Sequence, residues 1–240
     1  MQKGLQLYTI RDSYKNGEEF KGVIKAVKEL GYEQVEFAGF SDLTAEELRD
    51  YLKELGLTPI SSHQSLVNLK SHLEETISYH KSLGIPYIIL AYAPTSTSEE
   101  VDELISVLQN AKEVIKENGM ELLYHNHSHE FVKLPDGRVP MDLIRETVRL
   151  ELDTFWVFHA GVEPCSYIKE HEKEIALIHL KDGDFEGHPL AVGEGYNNVK
   201  GIVAMAKNIG LEQIIVENDY PVPDGISDIG RSIEYLKKLL

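Results

Sequence analysis

One pattern of hydrophobic and polar positions recurs along the chain. An amphipathic segment rich in Lys and Glu ends at a glycine, and a short apolar run follows directly. The glycines in this position are Gly31, Gly56, Gly84, Gly119 and Gly210. Glycine after the last helical turn is the usual left-handed cap, and short apolar runs bounded in this way are typical of buried strands. The pattern therefore predicts helices that each lead into a strand.

Eight short apolar runs are predicted to form strands. They cover residues 5–10, 35–37, 60–61, 87–91, 122–125, 150–155, 175–181 and 214–217. The segments between them carry apolar residues at helical spacing, as at Phe20, Ile24 and Val27. Alternating strands and helices indicate a parallel sheet, and eight units in 240 residues leave about 30 residues for each. We therefore expect an α/β protein, a single (β/α)8 TIM barrel in which residues 1–240 form one domain.

An open, doubly wound sheet is the alternative arrangement of the same elements. A dinucleotide-binding sheet of that kind carries Gly-x-Gly-x-x-Gly after its first strand, and this chain has no such motif there. Polar residues also end nearly all eight apolar runs. In a barrel these ends converge on one mouth, whereas in an open sheet they spread along a line, so the pattern favours the barrel.

Charge and cysteine content narrow the class of protein. The 40 acidic side chains exceed the 24 basic ones, which gives a formal net charge of −16. This excess repels a phosphate backbone, so we expect no nucleic-acid partner. Cys165 is the only cysteine, which excludes an intrachain disulfide and fits a reducing, cytoplasmic setting. With no signal-peptide pattern and no apolar run of the ~20 residues that a membrane span needs, we expect no membrane partner.

The ends of the predicted strands carry most of the candidate chemistry, as expected for the catalytic end of such a barrel. Glu36, Asp153, His179 and Glu217 each follow an apolar residue, and charged groups are rarely buried without a partner or a metal. Carboxylates and imidazole without thiolate suit Mn, Mg, Zn, Co or Fe and do not select among them. The alternative is ordinary ion pairing, for instance of Lys181 with Glu217 or Glu36.

Two expectations concern positions away from the strand ends. His72, His80, His171 and His188 lie in predicted helices or loops, and we expect them on the surface. Ser98 precedes two acidic residues and is expected to cap the helix that follows.

Five segments of the chain resemble one known family. They are Leu-Gln-Leu-Tyr-Thr-Ile-Arg-Asp at 5–12, Tyr-His-Asn-His-Ser-His-Glu-Phe at 124–131, Leu-Asp-Thr-Phe-Trp at 152–156, His-Leu-Lys-Asp at 179–182 and Val-Glu-Asn-Asp at 216–219. These segments resemble the xylose isomerase-like TIM barrel superfamily and, within it, the sugar phosphate isomerase/epimerase group. The resemblance extends over the whole chain, and it implies the fold that the periodicity already predicts.

The resemblance also implies one divalent metal ion, commonly Mn or Mg, with Zn, Co or Fe as alternatives. Its ligands follow strands five to eight, and Asp153, His179 and Glu217 match the last three positions. Many relatives have Glu where this chain has His125. Either His125 ligates the metal, or Glu130 reaches back from the loop. We rank Glu130 first, because a third carboxylate would better neutralise the cation.

The implied reaction is proton transfer next to the carbonyl of a sugar, sugar phosphate or keto-sugar, through a metal-stabilised enediolate. Glu217 is the candidate base as well as a ligand, and His125 or His127 is the candidate partner acid. The side chains expected to bind substrate are Tyr8, Arg11, Glu36, His63, Trp156 and Lys181.

Three functions are compatible with this site. The first is a sugar isomerase or epimerase in carbohydrate metabolism, and the second is an inosose dehydratase-like or 3-keto-glycoside lyase-like enzyme. The third is a barrel that binds sugar without turnover. The acidic charge argues against the DNA-cleaving branch of the superfamily. Because 240 residues leave little room for long loops, we expect an open mouth unless a second subunit of a homo-oligomer covers it.

Overall fold

Eight parallel strands close into a barrel in the computed structural model, which describes residues 1–240. Each strand pairs with the next in the chain, and β8 closes the barrel on β1. The predicted (β/α)8 TIM barrel is therefore confirmed. The strands are Gln2–Gln6 (β1), Gln34–Phe37 (β2), Thr58–Gln64 (β3), Tyr87–Leu90 (β4), Glu121–His125 (β5), Arg149–Asp153 (β6), Ile175–Leu180 (β7) and Gln213–Val216 (β8).

Ten α-helices surround the barrel, and two of them follow each of β3 and β6. None has the length and apolar content needed to cross a bilayer. All five glycines of the recurring pattern have φ between 66° and 104°, the left-handed region that the cap requires. The helices are Gly17–Leu30 (α1), Ala45–Leu55 (α2), Leu66–Ser71 (α3), Leu73–Leu83 (α4), Ser98–Glu117 (α5), Pro140–Thr147 (α6), Thr154–His159 (α7), Pro164–Glu170 (α8), Val199–Asn208 (α9) and Gly225–Leu236 (α10).

Three local expectations are wrong. The first strand lies at Gln2–Gln6 rather than at 5–10, because the Gln6 side chain accepts the Tyr8 N–H and Leu7–Ser13 turns into a 3-10 helix. Thr97, not Ser98, caps α5. His80 is buried rather than exposed, since it packs under Phe40 and its Nδ1 lies 2.6 Å from the Thr76 carbonyl.

Strand alternation turns the charged side chains into the barrel. In β6, Leu150 and Leu152 pack outward against the helices, so Glu151 and Asp153 face inward. The same alternation turns His179 of β7 inward. Toward the other end the interior is apolar and is filled by Ile60, Ile89, Leu123, Ala176, Leu177 and Ile215. The barrel interior is therefore charged only toward the carboxyl ends of its strands.

Candidate metal centre and active site

Four side chains from the last four strands meet at the mouth of the barrel. His125, Asp153, His179 and Glu217 each offer one ligand atom, and these atoms lie within 4.8 Å of one another. Nδ1 of His179 is 3.1 Å from Oε2 of Glu217, and Nε2 of His125 is 3.9 Å from Oδ2 of Asp153. All four residues are buried. We call them the mouth cluster.

The Lys181 ammonium group lies directly beside the mouth cluster. Its Nζ is 3.0 Å from Oδ2 of Asp153, 2.7 Å from Oε2 of Glu217 and 2.7 Å from Oδ2 of Asp219. Burial would lower the pKa of Lys181, but these three carboxylates outweigh it and hold that pKa well above its ordinary value. Lys181 is therefore a permanent, fully buried cation.

The donor atoms of the mouth cluster suit a divalent cation. Oδ2 of Asp153 accepts no well-aligned hydrogen bond, although Lys181 Nζ is 3.0 Å away. Burial and the nearby His179 hold the pKa of His125 well below its ordinary value, so its ring is neutral and has a lone pair to offer. Two carboxylates can balance the charge of a divalent ion, and imidazole nitrogens complete a mixed N/O donor set. The residues therefore fit the metal that the sequence implies.

A second charged group lies deeper in the barrel and consists of Glu36, His63 and Glu151, which we call the floor cluster. Nε2 of His63 is 2.7 Å from Oε2 of Glu151 and 3.2 Å from Oε1 of Glu36. Nε2 of His179 is 2.6 Å from Oε1 of Glu36 and 3.1 Å from Oε2 of Glu151. His179 thus joins the floor cluster to the mouth cluster.

Protonation in the floor cluster follows from these contacts. Burial opposes the charge of His63 and His179, but the carboxylates outweigh it, raising the pKa of His63 to about 10 and that of His179 well above its ordinary value. Burial would raise the pKa of Glu36, but the two histidines hold it well below its ordinary value. Burial and the Glu36 charge raise the pKa of Glu151 to about 7. Two cationic histidines therefore flank the Glu36 anion, while Glu151 is only partly ionised near neutral pH.

Glu130 does not join the mouth cluster. Its Oε1 accepts the Tyr124 hydroxyl at 2.8 Å, and its Oε2 accepts the His127 N–H at 2.9 Å. Its carboxylate instead lies with His127 and His129, in a separate group within 4.8 Å. The structure brings His125, rather than Glu130, to Asp153 and the other two matched positions.

An open cavity of about 770 Å³ leads to the mouth cluster. His125 and Glu217 form part of its wall, and the expected substrate-binding residues Tyr8, His63 and Trp156 do so as well. Further lining comes from His127, together with the apolar or aromatic side chains of Leu66, Val67, Tyr92, Pro94 and Tyr220.

Three residues expected to bind substrate lie outside the cavity wall. Glu36 is enclosed in the floor cluster, and Lys181 is held by three carboxylates. The Arg11 guanidinium stacks over the Tyr8 ring at 4.0 Å and donates to the carbonyls of Tyr8 and Asp219. Arg11 therefore fastens the turn after β1 to the segment after β8.

Glu151 belongs to the floor cluster but is not predicted from the sequence. It lies two residues before Asp153 and so shares its inward-facing parity, which is the signal that could have identified it. Its own neighbours Leu150 and Leu152 face the helices.

Comparisons with known proteins agree with this architecture. A family model described as "Xylose isomerase-like TIM barrel" matches residues 24–239. An inosose dehydratase of Geobacillus thermodenitrificans (strain NG80-2) is 25% identical over 136 residues, which are 56% of this chain and 42% of that protein. The chain therefore spans less than half the length of this curated relative.

Two solved structures have the same fold. A sugar phosphate isomerase/epimerase from Parabacteroides distasonis ATCC 8503 superposes with a TM-score of 0.86 at 24% identity, over 99% of this chain and 98% of that one. IolI protein with a bound zinc atom superposes with a TM-score of 0.76 at 17% identity, over 100% of this chain and 96% of that one. Because the family model matches most of the chain, the protein belongs to the xylose isomerase-like TIM barrel family.

Proposed function

We propose that the protein is a divalent-metal-dependent isomerase or epimerase that removes a proton next to the carbonyl of a sugar or keto-sugar. The observation that carries this proposal is the mouth cluster, which combines two histidines and two carboxylates at the inner end of a cavity of about 770 Å³. A sugar-sized ligand that enters this cavity meets His125 and Glu217 in its wall, and the buried Asp153 and His179 lie directly beside them.

In this proposal His125, Asp153, His179 and Glu217 hold the ion. A bound divalent cation polarises a substrate carbonyl and neutralises the charge that develops on its oxygen. The carboxylates of Asp153 and Glu217 already match the charge of such an ion, so a third carboxylate from Glu130 is not required. Manganese or magnesium is common in the family that the sequence resembles, and the zinc in the IolI structure supports zinc among the alternatives.

Glu217 is the proposed base. Its Oε2 faces His179 and Lys181, while its Oε1 has no protein partner and belongs to a side chain in the cavity wall. Burial would raise the pKa of Glu217, but Lys181 and His179 hold it well below its ordinary value, so the carboxylate is ionised. The free oxygen is the one that can reach a substrate C–H.

His127 is the proposed partner for the proton. It lines the cavity, and its buried Nδ1 has no partner in the protein. Burial, reinforced by the Lys181 charge, lowers the pKa of His127 to about 3, so the ring is neutral and can both accept and donate. Tyr8 and Trp156 would stack on the sugar ring, and the unpaired Trp156 Nε1 would donate to a hydroxyl.

A lyase is the second candidate, and the inosose dehydratase relative favours it. The same base would remove the same proton, and a β-substituent would then leave. We also propose a cytoplasmic enzyme without nucleic-acid or membrane partners, in which a second subunit covers the mouth if the protein is a homo-oligomer.

Proton NMR in deuterated water, on ketoses, inososes and 3-keto-glycosides, tests the proposal. Exchange at the α-carbon with retention of the skeleton is the result expected for an isomerase or epimerase, whereas loss of a substituent would identify a lyase. Metal analysis should find one divalent ion per chain, and Asp153→Ala should abolish both metal retention and exchange. A metal-free protein whose Asp153→Ala variant still binds sugar would be a binding barrel instead.

A further inference from the structure

Two buried carboxylates of the floor cluster, Glu36 and Glu151, have no part in the reaction proposed above. Neither has exposed surface, and neither lines the cavity. Glu36 contacts His179, and Glu151 contacts both of the proposed histidine ligands. Glu36 Oε1 and Glu151 Oε2 lie 2.6 Å and 3.1 Å from Nε2 of His179, and Glu151 Oε2 lies 3.3 Å from Nδ1 of His125.

Each of these histidines presents its two nitrogens to different neighbours. His179 turns Nδ1 to Glu217 at 3.1 Å and Nε2 to the floor. His125 turns Nε2 toward Asp153 and Nδ1 toward Glu151, which lies 3.3 Å away without a well-aligned hydrogen bond. Glu36 accepts from the His179 nitrogen that faces it, so that nitrogen stays protonated, and Glu151 Oε2 lies near a nitrogen of both rings. The opposite nitrogen of each ring faces another proposed ligand and is the one at which a cation would bind; at His179 the cation would take the place of a proton.

The floor cluster is built to hold these carboxylates in place. Gln6 Nε2 donates to Glu36 Oε1 at 2.7 Å, and the Ser61 hydroxyl donates to Glu36 Oε2. His63 contacts both carboxylates, and its ring stacks on that of His179, with centroids 5.3 Å apart and an interplanar angle of 12°. These contacts hold the Glu36 and Glu151 carboxylates in place without a bound ligand.

We propose that Glu36 and Glu151 are positioning residues that fix the tautomers of the two histidine ligands, so that His125 binds the metal through Nε2 and His179 through Nδ1. The inference rests on the proposed function in one respect, namely that the mouth cluster holds the ion. Removing a carboxylate that orients a metal-bound histidine in this way typically lowers metal affinity 10–100-fold.

A second possible metal site would share the rings of His125 and His179. His63, His125, Glu151 and His179 also present ligand atoms within 4.8 Å of one another, and a cation there would take the opposite nitrogens. The mouth cluster is favoured because Glu217 lines the cavity whereas Glu151 does not. His63 Nε2, moreover, already lies between two carboxylates.

The first test is a long-range proton–nitrogen NMR spectrum of ¹⁵N-histidine-labelled wild-type protein with Zn²⁺. We expect Zn²⁺-induced shifts at Nε2 of His125 and Nδ1 of His179, with protons retained on the other nitrogen of each ring. Coordination through the opposite nitrogens would overturn the proposal. Wild-type protein that binds no Zn²⁺ would instead remove the metal-dependent function itself, so the two failures are distinguishable.

The second test measures Zn²⁺ affinity of Glu36→Gln and Glu151→Gln by calorimetric titration. Both variants should bind about 10–100-fold more weakly, while circular dichroism shows an intact fold. Asp228→Asn is the matched control, because Asp228 is an equally buried carboxylate that accepts from Asn218 and contacts no proposed ligand. If the Glu36 and Glu151 variants fold and bind Zn²⁺ as tightly as Asp228→Asn does, the two carboxylates have only a structural role and the proposal is wrong. If a variant does not fold, the wild-type spectrum still decides.

Discussion

Lys181 has surroundings that are unusual for a lysine, since its ammonium group is fully buried among three carboxylates. Two of these, Asp153 and Glu217, are proposed metal ligands. The lysine therefore balances the site when no cation is bound and repels a cation when one arrives. Removing it should have opposite effects on folding and on metal binding.

We predict that Lys181→Met lowers stability in the presence of chelator by about 3 kcal/mol or more, because it leaves buried carboxylates without their cation. The same variant should bind Zn²⁺ about tenfold more tightly than wild type, a gain of about 1.4 kcal/mol. Thermal denaturation with EDTA and with Zn²⁺ measures both effects. Weaker Zn²⁺ binding by a folded variant would show that Lys181 assists the site rather than competing with the metal.

The choice between His125 and Glu130 as the fourth metal ligand gives a second prediction. Glu130→Gln keeps the size of the side chain and can still accept from Tyr124, so its Zn²⁺ affinity should stay within about threefold of wild type. His125→Asn should weaken Zn²⁺ binding by more than about tenfold, because it removes a proposed ligand. The reverse outcome in calorimetric titration would return the ligand role to Glu130.

The sequence could identify Asp153, His179 and Glu217 because each stands where a barrel strand ends and matches a known family. Charge alone ranks Glu130 ahead of His125 as the fourth ligand. The turn His129–Phe131, which no sequence pattern indicates, directs the Glu130 carboxylate to Tyr124 and to the chain itself. His80 illustrates a different difficulty. A histidine in an amphipathic helix has the sequence appearance of a surface residue, yet packing buries this one and lowers its pKa to about 4.

At the scale of elements, the loop between β7 and α9 is organised by one carboxylate. Asp182 accepts four backbone N–H groups, those of Gly183, Gly193, Gly195 and Asn197, at 2.9–3.0 Å. The chain must therefore approach Asp182 closely at each of these points. A Cβ at position 195 would lie 2.3 Å from Asp182 Oδ1 and 2.4 Å from the Gly183 nitrogen.

We predict that Gly195→Ala lowers the melting temperature by several degrees, because the added methyl must displace backbone and the carboxylate together; a loss of about 2 kcal/mol corresponds to about 4–8 °C at this chain length. Gly22→Ala is the control, since Gly22 lies in α1, where a Cβ would have no atom within 4 Å, and the substitution should gain about 0.5–1 kcal/mol. A Gly195→Ala variant as stable as Gly22→Ala would contradict this account of the loop.

Element types follow from the sequence more readily than element ends. The glycine caps and apolar runs locate all eight strands, because both signals are local. The end of β1 depends instead on Gln6, whose side chain captures the Tyr8 N–H and stops the strand. An interaction of that kind is not visible in hydrophobic periodicity, and the same holds for the capping box of Thr97 and Glu100.

For the whole molecule, the charge of −16 extends into the cavity itself. The carboxylates in the cavity wall are Glu217 and Asp219, and the wall contains no lysine or arginine. Lys181 is already neutralised, and Arg11 is engaged with backbone carbonyls. The cationic His63 in the wall is paired with Glu36 and Glu151, so an anionic substrate would meet no unpaired cation apart from the bound metal.

We predict that a neutral hexose or keto-hexose binds at least about tenfold more tightly than its 6-phosphate, because the acidic wall repels the phosphate. Calorimetric titration of the metal-loaded protein with both compounds measures the difference. Raising the salt concentration should reduce the difference in affinity between the two compounds, since screening weakens the repulsion. A tighter-binding phosphate would require a phosphate site that the cavity wall does not contain.

The barrel interior is apolar toward one end and charged toward the mouth, and this separation affects how the protein can evolve new specificity. Inside the barrel, packing relies on the apolar layer around Ile89, Leu123 and Ile215, while the proposed chemistry relies on inward positions nearer the mouth. The two sets lie at different heights along one axis and share no residue. Substitutions of cavity-wall residues outside the buried ion pairs can therefore alter what the protein acts on without loosening the apolar layer, so new specificity can evolve on a constant scaffold.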